Sequence, residues 1–148
     1  MNDPRETLEG IAQCSPAPGT ELDAQGVVEI VGADMNAMLC FYEPLGFRIE
    51  RRTGSFAVLN GYGMRIFVAE NPDASKEKRW ANIRVVVEDV DLIWKCANAI
   101  GLPIVHSISD RPYGLRDFVL GDPSGFEIRF AQAIAGRTQE PVPQRPNN

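Results

Sequence analysis

The chain repeats itself. Laying Val27–Ile49 over Asn82–Ile104, an offset of 55, brings Asp34 onto Asp89, Gly46 onto Gly101 and Ile49 onto Ile104. The two segments, VVEIVGADMNAMLCFYEPLGFRI and NIRVVVEDVDLIWKCANAIGLPI, have one plan: a β-branched run, an Asp, then a helical pattern closed by Gly. A short carboxylate accepts hydrogen bonds from the free N–H groups of a first helical turn, so Asp34 and Asp89 are expected to be N-caps. Glycine takes the left-handed conformation that ends many helices, the role expected of Gly46 and Gly101. Apolar residues recur at helical spacing between them, as Met38, Phe41 and Tyr42 in one segment and Ile93, Ala97 and Ile100 in the other. A chain made of two such units must pack or pair them to bury their apolar faces.

The second half of each unit matches at an offset of 62, SFAVLNGYGMRIFVAE over DFVLGDPSGFEIRFAQ. Both read as strand–turn–strand hairpins, with NGYG and GDPSG as turns. Gly63 then falls on Gly125 and Phe67 on Arg129. The larger offset implies an insertion of about seven residues in the second unit, including the loop SDRPYG. Each unit is therefore strand, helix, strand, strand, strand, and the fold class is α+β.

Side chains alternate between the faces of a strand. Four strands carry one purely apolar face, expected to pack on the helices: Val28 and Ile30; Met64, Ile66 and Val68; Ile83, Val85 and Val87; Phe126, Ile128 and Phe130. The opposite faces are mixed: Val27, Glu29 and Val31; Arg65, Phe67 and Ala69; Asn82, Arg84 and Val86; Glu127, Arg129 and Ala131. An antiparallel sheet with one solvated face has this pattern, and so does a sheet lining a concave site.

The 148 residues suit one compact domain. Residues 1–25 read as a polar N-terminal arm with a short helix near Glu6–Gln13, residues 26–134 as the domain (modules 26–70 and 81–132), and residues 135–148 as a disordered Pro-rich tail. A formal net charge of −5 argues against a nucleic-acid partner, which needs a basic face. No apolar run is long enough to span a membrane, and MNDPRETLEG does not resemble a secretory signal. Three widely spaced cysteines, Cys14, Cys40 and Cys96, fit free thiols in a reducing cytoplasm, with Cys40 and Cys96 expected in the core.

The chain resembles the vicinal oxygen chelate superfamily of glyoxalases, extradiol dioxygenases and bleomycin-resistance proteins. The resemblance covers about 26–132 and rests on Asp34, Phe41-Tyr42 and Leu45-Gly46-Phe47 in the first module. In the second it rests on Val87-Glu88-Asp89-Val90-Asp91, Arg111-Pro112-Tyr113-Gly114 and Asp122-Pro123-Ser124-Gly125. It implies paired βαβββ modules forming a curled eight-stranded mixed sheet around a cleft, with the helices outside, in a homodimer. It also implies that metal ligands, where the family has them, would stand at Val27, Phe67, Asn82 and Arg129; the repeat independently pairs Val27 with Asn82 and Phe67 with Arg129. The family's ligands there are His, Gln or Glu, and this chain departs at all four. Val and Phe offer no donor atom and Arg repels a cation, so no metal and no cofactor is expected.

The expected ligand-binding residues are Glu29, Arg65, Phe67, Trp80, Asn82, Arg84, Tyr113, Glu127 and Arg129. Arginine suits carboxylates, Glu suits amines or acts as a base, and Trp80 and Tyr113 could stack on a planar compound. A structural ion-pair network among Glu29, Glu127 and the arginines is the simpler reading of the charged positions. His106, the one histidine, is expected on an edge strand. No catalytic residue is assigned. The leading function is a metal-free binder of a small aromatic or polar compound. The alternatives are a lyase, isomerase or dioxygenase-type enzyme with an atypical site, and a domain without a small ligand.

Overall fold

The computed structural model describes residues 26–136. Expectations for residues 1–25, Cys14 among them, and for the tail beyond residue 136 lie outside the described residues.

The first module runs β1 (Val28–Gly32), α1 (Met35–Tyr42), a 3-10 turn (Glu43–Leu45), β2 (Arg48–Arg52), β3 (Phe56–Gly61) and β4 (Met64–Glu70). The second runs β5 (Asn82–Val86), α2 (Val90–Ala99), β6 (Ile104–Asp110), β7 (Leu115–Gly121) and β8 (Glu127–Ala133). The caps are as expected: Asp34 accepts from Ala37 N and Asp89 from Leu92 N, each at 3.1 Å. Such a cap stabilises a helix by about 1 kcal/mol. Gly46 and Gly101 follow the helical segments at φ 105° and 71°.

The eight strands form two four-stranded sheets, β1-β4-β3-β2 and β5-β8-β7-β6, each with one parallel pair at the β1 or β5 edge. Pairing carries the repeat into three dimensions. Glu29 lies beside Phe67 in the first sheet, and their repeat mates Arg84 and Arg129 lie side by side in the second. The third strands depart by one residue. Val58 pairs with Phe67 and Val119 with Arg129, an offset of 61 on this strand, so one inserted residue sits in the β7–β8 turn.

Ile30, Ile66, Val68, Val85, Phe126, Ile128 and Phe130 are buried in one continuous core cluster, and Val28, Met64, Ile83 and Val87 pack against it. Met35, Met38, Leu39, Phe41 and Tyr42 of α1 and Val90 and Ala97 of α2 fill the same cluster. Both sheets therefore turn their apolar faces to a common core, with the helices on that side and the mixed faces outward. Cys40 and Cys96, expected in the core, are exposed. Asn36, Cys40 and Glu43, like Leu92, Cys96 and Ala99, follow the i, i+4, i+7 spacing of a solvent-facing stripe. Ile100 is 52% exposed because it caps α2 and leaves the helical face.

Hydrogen bonds also tie the modules together. The buried Tyr42 hydroxyl of α1 donates to Asp122 Oδ2 at 2.7 Å, and Asp122 also accepts from Ser124 N, Ser124 Oγ and Phe126 N. Burial first, then the Asp122 charge, pushes the Tyr42 phenol far above its ordinary range. From the connecting segment, Arg79 donates to Ser124 O in the second module and to Val31 O in the first.

Candidate functional site

Alternation along the strands places the expected site residues in two groups rather than one. On the outer face of the first sheet, Glu29, Arg65 and Phe67 come together with Val58 and Asn60 of β3, the register partners of Phe67 and Arg65, and with Phe56, the partner of Ala69. Phe67 meets the Phe56 ring edge-on at 5.2 Å, and Val58 is 5% exposed although it faces outward. Glu50, at a β-bulge in β2, takes Arg65 Nε at 2.9 Å and Nη2 at 3.0 Å, and these bonds hold its carboxyl below the usual range. Glu50, Arg51, Val58, Arg65 and Phe67 line a depression of about 350 Å³. That volume lies at the small end of ligand pockets, and the lining is an apolar floor of Val58 and Phe67 between charged walls.

The second group lies on the outer face of the second sheet. Asn82 pairs with Glu127, Arg84 with Arg129, and Val119 and His106 continue the Arg129 row; His106 is exposed on edge strand β6. At its centre is Asp117, which is 0% exposed. Its carboxylate accepts from Arg111 Nε at 2.6 Å, Tyr113 Oη at 2.7 Å and Arg129 Nη1 at 3.3 Å. Burial alone would raise the Asp117 pKa. The bonds from Tyr113 and Arg111 and the charges of Arg129 and Arg111 outweigh it and hold the carboxyl below its ordinary range. Burial and then Asp117 push the Tyr113 phenol up. Arg84 sits over the Tyr113 ring at 5.6 Å.

The expected ion-pair network is differently wired. Arg65 pairs with Glu50, Glu127 with Lys78 at 3.3 Å and Arg129 with Asp117. Trp80 joins neither group: it precedes β5, is 94% exposed, and has Lys78 Nζ 5.2 Å from its ring centroid. Asp117, Arg111, Glu50, Arg51 and Val58 were not anticipated. An Asp within the apolar strand LRDFVLG signals Asp117, but the uniform offset of 62 aligned it with Ser55, ahead of β3. The positions where the family's metal ligands would stand do not fit a divalent ion. Phe67 packs on an aromatic ring, and Arg129 brings a fixed cation. Among the described residues no three His, Cys, Asp or Glu side chains are grouped as metal ligands.

The family model of the glyoxalase/bleomycin resistance protein/dioxygenase superfamily matches residues 24–130. The chain belongs to this superfamily. Solved structures share its fold. A glyoxalase/bleomycin resistance protein/dioxygenase from Nocardioides is 18% identical, with 93% of this chain and 99% of that one covered at a TM-score of 0.68. A bleomycin-binding protein solved with bleomycin is 21% identical, with 74% and 98% covered at 0.64. A lactoylglutathione lyase from Agrobacterium tumefaciens is 15% identical, with 76% and 96% covered at 0.60. Among curated proteins none matches this chain. At these identities the likeness establishes the superfamily fold, which carries both binding and catalytic members.

Proposed function

We propose that this superfamily member is a metal-free binder of a small planar compound with polar or zwitterionic groups, and that it binds between two copies of the chain. The observation that carries the reading is the division of labour between the outer faces. Phe56, Val58 and Phe67 offer an apolar floor on one sheet, and Arg84, Arg129 and Tyr113 offer polar groups on the other, the last two held by the buried Asp117. A small ligand without a metal anchor needs both kinds of contact. Within one chain both sheets turn their inner faces to the same core. Bringing the first sheet of one copy against the second sheet of its partner supplies both.

Acid–base catalysis is the competing reading, and Asp117 does not favour it. Its carboxylate is held ionised and has three donors on it, which makes it a weak base. A screen of small aromatic compounds by protein-observed NMR tests the proposal. Binding should persist in EDTA, and Phe67→Ala and Arg129→Ala should each weaken it about tenfold, or about 1.4 kcal/mol, without unfolding the domain. A ligand whose affinity ignores both changes, or requires a divalent ion, overturns the assignment.

A further inference from the structure

The binding role leaves the ligand's chemistry open, and the outer face of the second sheet narrows it, provided that role holds. Arg84 and Arg129 are register partners on adjacent parallel strands, so their side chains leave the same face about 5 Å apart at the base. Two cationic side chains rooted side by side on one face repel each other unless negative charge lies near. The described carboxylates supply little of it. Asp117 is the acid at this spot, and its shortest bonds go to Arg111 and Tyr113. Glu127, the neighbouring outward-facing acid, is engaged by Lys78. Arg84 has no carboxylate partner among the described residues, and its contact is the face of the Tyr113 ring. Arg111 and Arg129 thus share one carboxylate while Arg84 stands on the Tyr113 ring beside them, in a chain whose net charge is −5.

The hydrogen bonding of Arg129 points the same way. Its Nη1 donates to Tyr113 Oη at 3.2 Å and to Asp117 Oδ2 at 3.3 Å. Its Nε is buried and has no partner, the one buried side-chain nitrogen or oxygen so left among the described residues. A shielded donor without an acceptor is costly, and native folds seldom keep one. The edge of a guanidinium formed by Nε and Nη2 matches the two oxygens of a carboxylate. The next outward pair along these strands is apolar, Val86 beside Ala131, and Val86 is 64% exposed.

We propose that Arg84 and Arg129 form an anion subsite for a small organic carboxylate, whose ring or chain lies over Val86. Arg129 presents its Nε–Nη2 edge once the ligand displaces the groups that shield Nε. Arg84, exposed and resting on a ring face, swings onto the same carboxylate.

Titration of the full chain with benzoate, with benzamide and with inorganic phosphate, followed by backbone amide shifts, tests this. Benzoate should shift β5 and β8 saturably, and benzamide, neutral and of the same shape, should bind at least about tenfold more weakly. Arg84→Gln, a change at an exposed position, should weaken benzoate about tenfold, and added salt should weaken it further. Equal binding of benzoate and benzamide, an unchanged benzoate affinity in Arg84→Gln, or phosphate binding without benzoate binding overturns the carboxylate subsite. If neutral aromatics bind at the Phe67 depression while no anion binds, the subsite falls and the binding role stands. If nothing binds, both fall.

Discussion

Asp117 shows how much one side chain can depend on its neighbours. A fully buried carboxylate is costly by itself, and three donors make it tolerable. Because its pKa is lowered in the fold, its contribution is in place above the ordinary Asp value of about 3.9 and is lost as pH falls through the lower folded value. Urea unfolding at pH 7 and pH 3 should therefore show a loss of stability on acidification. In Asp117→Asn that loss should be smaller. At pH 7 the same change should cost about 1.5–3 kcal/mol, the worth of hydrogen bonds to a charged group. Equal acid sensitivity in both proteins would place the titrating group elsewhere.

The two hairpin turns are repeat mates with different surroundings. Gly63 and Gly125 both have positive φ, 71° and 82°. A Cβ on Gly63 would meet nothing within 4 Å, whereas on Gly125 it would run into the backbone carbonyl of Glu77. The connecting segment runs against the second turn and is bonded there, Arg79 N donating to Gly125 O at 2.8 Å. Gly63→Ala should cost the left-handed backbone penalty of about 1–2 kcal/mol. Gly125→Ala should cost about 3 kcal/mol or more, since the segment must also move. Thermal or urea unfolding of the two variants side by side reads the difference. Equal losses would mean that the connecting segment does not pack on the turn in solution.

At the scale of the molecule, both mixed faces turn outward from one core, and the proposed site is complete only if a second copy brings one face against the other. Light scattering at micromolar concentration should give a homodimer, as a closed two-fold arrangement requires. Mixing chains that carry Phe67→Ala with chains that carry Arg84→Gln gives a sharper check. A mixed dimer built as proposed holds one site with both changes and one with neither, so ligand binding should recover in part. A monomer, or no recovery in the mixture, would mean that the two faces do not meet across an interface.

What the sequence by itself determined is the local plan. The βαβββ repeat, the two capping carboxylates, the glycines that end the helices and the inward or outward sense of positions in β1, β4, β5 and β8 all follow from spacing over a few residues. Periodicity and capping are properties of single elements, so one chain read once reveals them. Partnership was legible only in the tertiary structure. Arg65 meets Glu50 across β2, β3 and β4, Asp117 draws Arg111, Tyr113 and Arg129 together, and a one-residue change in a turn decides which β7 position stands beside Arg129. The separation of the mixed positions onto two outward faces has the same origin. An alternating pattern tells each strand which face is apolar, but where the other face looks depends on how two modules pack their cores together.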